Sequence, residues 1–322
     1  MKMRMNFSTL WLWITALLWA NTARLTATEF HFLAVGDTGT AAEQQRVVAE
    51  SMARCAAASA NTNPVRFITF LGDNFYEDGV TNVDDPQWKT KLEDMYDTNR
   101  LNMPFYAVLG NHDWHKGLPD VEIDYTHAHP ESRWKMEAHY YSRKFWGDWP
   151  STNTHPLLEL FAIDTEAWSP EVPYVKSYTN KNLAAEQFAW LESGLTNSTA
   201  IWKIVVAHHP IYTNGKHAHD KQLVELRKIL GPLFERCRVD AFLAGHDHDL
   251  ERIELPGNTT LFLISGAGGN LRKKGFDDYK SFYADKAGFA SITLNEKEMH
   301  GQFLDGDLKP IDVWHRKPNS VP

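Results

Sequence analysis

Val65-Arg66-Phe67-Ile68-Thr69-Phe70-Leu71 runs directly into Gly72-Asp73-Asn74-Phe75-Tyr76. The first part is short, apolar and rich in branched and aromatic residues, which is the pattern of a buried strand, and the glycine marks its end. An acid and a phenol therefore leave the same strand end. A carboxylate has two oxygens and can bridge two cations, while a phenol three residues on, as phenolate, can bind a hard trivalent ion such as iron. Taken alone, the pair also fits an acid capping a turn and a tyrosine rimming a pocket. The rest of the chain decides.

Working outward, the same design recurs. Upstream, Phe30 to Val35 reads as a strand ending in Gly36-Asp37-Thr38-Gly39, and an acid there sits at the carboxyl end of a strand, where open α/β sheets place their sites. Downstream, Met103 to Leu109 ends in Gly110-Asn111-His112-Asp113, Ile201 to Ala207 in His208-His209-Pro210, and Val239 to Ala244 in Gly245-His246-Asp247-His248. An asparagine carbonyl is a neutral oxygen ligand, and the histidine after it can face a substrate while the asparagine faces a metal. From spacing alone either His208 or His209 could be a ligand. Histidines at i and i+2 in a tight turn, as in His246 and His248, can each offer an imidazole to a different member of a metal pair. Asp113 is expected, from adjacency, to orient His112.

Helices are expected at Ala41 to Ser59, Asp84 to Arg100, Ala184 to Leu195 and Gln222 to Cys237, and further strands at Leu157 to Ile163, Thr260 to Ser265, Phe289 to Leu294 and Met299 to Leu304. Strands alternating with helices mark an α/β chain, and the late strands suggest a second sheet packed on the first. Gly266 to Gly269 suits a tight turn near the site better than a phosphate cradle. His115, His127, His129, His139 and His155 lie in an irregular stretch, Trp114 to Pro156, and read as surface or packing residues. His217 and His219 share a loop that could approach a bound anion.

At 322 residues and a formal net charge of -8, the chain has room for a full core and carries no basic footprint for nucleic acid. Lys2 and Arg4 precede the uncharged run Phe7 to Ala20, the layout of a secretory signal and shorter than a comfortable membrane span. A signal over residues 1–24 is expected, with cleavage between 20 and 28, followed by a single catalytic domain over 25–322 with no stable membrane association after cleavage. The sequons at Asn197 and Asn258 agree with export and glycosylation. Cys55 and Cys237 could form a disulfide or remain two buried thiols.

With five ligand-rich turns at strand ends, the sequence resembles the purple acid phosphatases of the metallophosphoesterase superfamily, particularly the small tartrate-resistant type, from about Phe30 to the last strands. The resemblance implies two mixed β-sheets packed face to face and flanked by helices, a metallophosphoesterase-like αββα sandwich. It implies that Asp37, Asp73, Tyr76 and His248 bind Fe(III), and that Asp73 bridges to a second divalent metal (Fe(II), Zn or Mn) held by Asn111, His208 and His246. Gly39 stands where many superfamily members have a histidine, and Tyr76 replaces that ligand.

Hydrolysis of phosphate monoesters by metal-bound hydroxide, with an acid optimum, follows from the resemblance. His112 and, on the other flank, His217 would be the catalytic histidines, with phosphomonoesters and inorganic phosphate as the molecules bound. Extracellular and lysosomal or vacuolar destinations both fit. The cysteine pair of the familiar small animal enzymes is not matched by Cys55 and Cys237, and Glu166 to Asn182 corresponds roughly to that family's protease-sensitive loop. The rivals are a phosphodiesterase or pyrophosphatase on the same metals, and a secreted non-catalytic binding protein on this fold.

Overall fold

Strands that are apolar on both faces must be covered on both sides, and this chain does so by laying two sheets against each other and helices outside them. The computed structural model describes residues 29–115, 118–147, 154–169 and 182–319. In chain order the strands are β1 Phe30–Val35, β2 Val65–Phe70, β3 Phe105–Ala107, β4 Trp134–Lys135, β5 Tyr141–Phe145, β6 Leu158–Ala162, β7 Trp202–Val206, β8 Ala241–Ala244, β9 Leu250–Glu254, β10 Leu261–Ser265, β11 Ser281–Ala284, β12 Gly288–Leu294, β13 Met299–Asp305 and β14 Pro310–Arg316. The α-helices are α1 Glu43–Ser59, α2 Asn111–Trp114, α3 Asp120–Ala128, α4 Leu183–Asn197 and α5 Lys221–Cys237.

The strands form two 7-stranded sheets, ordered β14-β13-β12-β1-β2-β3-β4 and β11-β9-β10-β8-β7-β6-β5. Both are mixed: β1 to β4 run parallel beside the antiparallel β12, and β6, β7, β8 and β10 run parallel between antiparallel edges. Phe67 stacks on Phe32 beside it and on Phe145 of the opposite sheet, at 4.8 Å in each case. The Trp202 indole donates across the layers to the Asn295 carbonyl at 2.7 Å.

Alternation then sorts the second sheet's side chains. Leu158, Leu160, Ile204, Val206, Leu261 and Leu263 enter the central core, while Phe161, Val205, Phe242, Phe262 and Ile264 face outward onto Leu191 and Leu195 of α4 and Leu226, Leu230 and Phe234 of α5. Because β1, β2, β3, β7 and β8 point the same way within their sheets, the turns that follow them share one end of the sandwich. Backbone bonds tie those turns together, from Gly36 N–H to the Ser265 carbonyl (2.7 Å), Asp37 N–H to that of Gly72 (3.0 Å) and Gly245 N–H to that of His208 (2.9 Å).

The two-sheet α/β architecture agrees with the sequence reading, but the late strands do not make the second sheet: β12 and β13 extend the sheet of β1 to β3, and of them only β10 joins β7 and β8 in the other. Several further elements differ. The helix expected over Asp84 to Arg100 is only a π-helical stretch, Trp88–Glu93, between turns. Its acids serve the turns: Asp85 accepts from the backbone of Thr81 and Gln87, and Asp97 from that of Asn99. The stretch taken as irregular between Trp114 and Pro156 holds α3, β4 and β5. Cys55 and Cys237 are free, buried thiols, and burial pushes the Cys55 thiol up to about 11. The expected signal and residues 170–181 of the Glu166 to Asn182 loop lie outside the described residues. No helix among the described residues is long and apolar enough to cross a membrane.

His139, read as a packing residue, joins layers by charge. Its Nδ1 meets Asp164 Oδ2 at 2.7 Å and its Nε2 meets Asp120 Oδ1 at 2.9 Å. Burial disfavours the imidazolium, but the bonds to Asp120 and Asp164 and their charges outweigh it and push His139 up to about 9. A pKa raised above the unfolded value of about 6.5 gives stability that is full below that pH and lost as pH rises through 9. Melting curves of wild type and His139→Gln should show a gap at pH 6 that narrows by pH 10. An equal gap at both values would contradict the charge-based account.

Candidate metal centre

The turns after β1, β2, β3, β7 and β8 bring side-chain donors into two groups. In the first, the Tyr76 hydroxyl lies 3.0 Å from Asp37 Oδ1, 2.8 Å from Asp73 Oδ2 and 3.1 Å from His248 Nε2, with His248 Nε2 3.4 Å from Asp37 Oδ1. In the second, Asn111 Oδ1 lies 3.1 Å from His208 Nε2 and 3.0 Å from His246 Nδ1. Those two nitrogens are 3.2 Å apart, and His208 Nε2 is 3.4 Å from Asp73 Oδ1. Asp73 thus gives one oxygen to each group. Donors about 2.1 Å from a shared cation lie roughly 3.0–3.4 Å from one another, so both groups have the spacing of a coordination shell.

Their hydrogen bonding makes little sense without a cation. His208 Nδ1 donates to the Leu71 carbonyl at 2.8 Å, so Nε2 is the nitrogen turned toward the oxygens of Asn111 and Asp73, where the neutral ring would present a lone pair. Acceptors packed on acceptors repel; a cation between them makes every contact attractive. Without a cation the two buried acids Asp37 and Asp73 favour the protonated forms of Tyr76 and His208, protons that a bound cation would displace. Burial, followed by the charges of Asp37 and Asp73, pushes the Tyr76 phenol far up. His208 is raised because Asp73 and Asp37 outweigh its burial, and His246 is driven well down by burial and then by the histidines around it. His246 is therefore neutral, with a nitrogen lone pair to offer. The donor set of carboxylate, phenol, amide oxygen and imidazole suits a hard trivalent ion on the Tyr76 side and a divalent ion on the other.

The backbone is bent to achieve this. Asp37, Asp73 and His246 all have positive φ, at 58°, 52° and 68°, a region that costs non-glycine residues about 1 kcal/mol or more and recurs at functional sites. Gly72 has φ 85°, and a Cβ there would stand 2.6 Å from His208 Nδ1. At Gly110 the constraint is close approach, since a Cβ would stand 2.2 Å from the Asp73 nitrogen. The Gly266 to Gly269 stretch is a turn against the first strand end, with Gly268 N–H donating to the Gly36 carbonyl.

Asp113 does not touch His112. Its buried carboxyl accepts from the backbone N–H groups of Gly110 (2.8 Å), Asn74 and Phe75 (3.0 Å each), clamping the Asp73 turn to the Asn111 turn. His112 is instead aimed by the Glu77 carbonyl, which accepts from Nδ1 at 2.7 Å and leaves Nε2 facing the site, 4.0 Å from Asp73 Oδ2. Thr165 binds both the ring and the backbone of His209, leaving His208 as the histidine among the oxygen donors.

His217 packs its ring 4.4 Å from that of His246, with Nδ1 on Asp220 (2.6 Å) and Nε2 on Arg272 (2.7 Å). His219 is exposed and paired with Asp278. A cavity of about 360 Å³ opens beside the donors, lined by Asn111, His115, Glu166, His209, His217 and His246. Burial pushes the Glu166 carboxyl up to about 7. His115, Glu166, Asp220 and Arg272 were not singled out in the sequence as members of the site. Only Arg272 left a signal there, as the start of a basic triplet in an acidic chain.

Paired mixed sheets with oxygen and nitrogen donors gathered at the ends of their parallel strands define a class, the metallophosphoesterases. The calcineurin-like phosphoesterase family matches residues 30–250. Purple acid phosphatase 4 of Arabidopsis thaliana is 31% identical over 294 residues, covering 88% of this chain and 82% of that protein. Tartrate-resistant acid phosphatase type 5 of Mus musculus is 30% identical over 300 residues, covering 87% and 88%. Among solved structures, Plasmodium GAP50, described as the anchor in the inner membrane complex, matches with a TM-score of 0.76 at 25% identity, over 90% of this chain and 89% of that one. The purple acid phosphatase of yellow lupin (Lupinus luteus) shares the fold, with a TM-score of 0.61 at 13% identity over 91% of this chain and 54% of that one. The chain belongs to the calcineurin-like phosphoesterases and, within them, to the purple acid phosphatases, enzymes that hydrolyse phosphoric monoesters.

If the two donor groups each hold an ion, elemental analysis separates them. Asp73→Ala should lose most of both metals, whereas His208→Ala should lose about one metal per chain and keep the other. Full metal content in Asp73→Ala would contradict a shared carboxylate.

Proposed function

We propose that this protein is a secreted acid phosphatase with a dinuclear Fe(III)–M(II) centre. Asp37, Asp73, Tyr76 and His248 would hold the ferric ion, and Asp73, Asn111, His208 and His246 the divalent one. The observation that carries this reading is the division of Asp73 between two donor groups, one of which contains a phenol buried against two carboxylates. When bound, the two cations neutralise the substrate phosphate and acidify a water enough to supply the nucleophile below neutral pH.

The chain's own residues then divide the remaining work. His112, with Nδ1–H fixed on the Glu77 carbonyl, holds a proton at Nε2 when charged and gives it to the ester oxygen as the P–O bond breaks. Water supplies the new oxygen on phosphorus, and alcohol and phosphate leave. His217, with its Nδ1 proton on Asp220 and its Nε2 accepting from Arg272, lines the opposite flank of the cavity and positions Arg272 beside it.

Export is supported by Lys2 and Arg4 ahead of the apolar run, and by the positions of both sequons, with Asn197 exposed at the end of α4 and Asn258 in the turn before β10. The likeness to GAP50, described as an anchor, keeps a binding protein as the second reading.

Phosphate release from phenyl phosphate by the metal-replete protein should be faster at pH 5 than at pH 8, and His112→Ala should lower kcat by roughly 10²–10⁴-fold. Metal-replete protein that turns over no phosphate ester would favour the binding protein, and faster turnover of bis-p-nitrophenyl phosphate than of the monoester would favour a phosphodiesterase.

A further inference from the structure

The donors on the divalent side come from both sheets: Asn111 follows β3 of one, and His208 and His246 follow β7 and β8 of the other. A cation they share is held only as well as these segments are fixed against one another. Two residues of the turn after β6, Asp164 and Thr165, bond to both sources.

Asp164 is fully buried, and each of its polar atoms is engaged. Its N–H donates to Gln187 Oε1 (2.8 Å) and its carbonyl accepts from Gln187 Nε2 (2.9 Å), which fastens it to α4. Oδ1 accepts from the Glu166 N–H at 3.0 Å, while Oδ2 accepts from the Trp114 indole at 3.2 Å and from His139 Nδ1 at 2.7 Å. Trp114 closes the one-turn helix that begins at Asn111. A single turn has no stability of its own, so bonds from outside decide where Asn111 points. Asp113 holds that turn at its start, through the Gly110 N–H, and Asp164 holds its end from the opposite sheet.

Thr165 does the same for the two histidines. Its hydroxyl accepts from the His209 backbone N–H at 3.0 Å and bonds the His209 ring at Nδ1 (2.9 Å), while Gln222 of α5 donates to the Thr165 carbonyl at 3.3 Å. With Nδ1 on Thr165 and Nε2 toward Glu166 Oε2 at 3.6 Å, the buried His209 ring serves as packing rather than as a ligand. Its centroid lies 4.9 Å from that of His208 and 4.4 Å from that of His246, so it is wedged against both imidazoles. Tyr76 and His248 are tethered elsewhere, the Tyr76 N–H to the Gly39 carbonyl (2.9 Å) and the His248 carbonyl to the Arg272 N–H (3.0 Å).

We propose that Asp164 and Thr165 are positioning residues that set the affinity of the divalent site: acting through Trp114 and His209, they fix Asn111, His208 and His246 relative to one another and leave the ion on the Tyr76 side untouched. The inference rests on the dinuclear reading above. Groups that sit behind metal ligands and orient them change metal affinity by roughly 10- to 100-fold when they are removed.

The test is a titration of Zn(II) into protein whose divalent ion has been removed by dialysis against a chelator, read by competition with a chromophoric zinc indicator, with iron content measured on the same samples. Thr165→Val keeps the shape of the side chain and removes its hydroxyl; Trp114→Phe keeps an aromatic ring and removes the indole N–H. Each should weaken Zn(II) binding roughly ten- to a hundredfold with iron per chain unchanged, and Thr165→Ser, which restores the hydroxyl, should stay within about threefold of wild type. If Thr165→Val does not fold, Trp114→Phe carries the test alone. Zinc and iron lost in equal measure would overturn the proposal. A wild type that takes up a single metal would overturn the dinuclear reading and this inference together, whereas two metals in wild type and unchanged Zn(II) affinity in the variants would leave that reading standing and remove the inference alone.

Discussion

The structure turns on a crowding of lone pairs. Carboxylate, phenol, amide and imidazole donors from separate strand ends are held about 3 Å apart in a buried site, where two carboxylates alone would resist sharing the space as anions. The fold enforces this arrangement. Positive φ values at Asp37, Asp73 and His246 turn the chain sharply at the ends of their strands, and Asp113 clamps two of the turns from below with backbone hydrogen bonds. Cations bound there would convert the repulsion into attraction, and the sandwich of sheets behind the site provides the rigid frame.

That frame was legible because burial on both faces leaves a strong mark. The runs before Gly36, Gly72, His208 and Gly245 are mostly apolar, and each forms a strand within a residue or two of its expected limits. The donor residues were legible for a related reason: they fall immediately after those runs, so locating the strand end locates the ligand. Edge strands left no such mark. β14 is exposed or half-buried except at Trp314, β11 is half-buried throughout, and neither has an apolar run to announce it. The polar stretch around Asp84 misled because acids that favour helix starts also cap turns, and here Asp85 and Asp97 bond to nearby backbone instead.

Interactions that bridge distant segments could not be read from spacing. Asp113 lies beside His112 in sequence, yet it serves Asn74 and Phe75, and the Glu77 carbonyl orients the histidine. Arg272 reaches His217 across 55 positions. The two flanks of the centre consequently differ in kind. His112 presents a ring nitrogen able to carry a proton, whereas the His217 flank presents fixed positive charge through Arg272.

The central claim is that Tyr76 shares a ferric ion with the carboxylates it touches. Its most direct measurement is the visible absorption spectrum of the purified protein, recorded with its iron content and again for Tyr76→Phe. A broad visible band with about one iron per chain, abolished by Tyr76→Phe, is the predicted result. A metal-replete but colourless wild type, or a band that survives Tyr76→Phe, would contradict it.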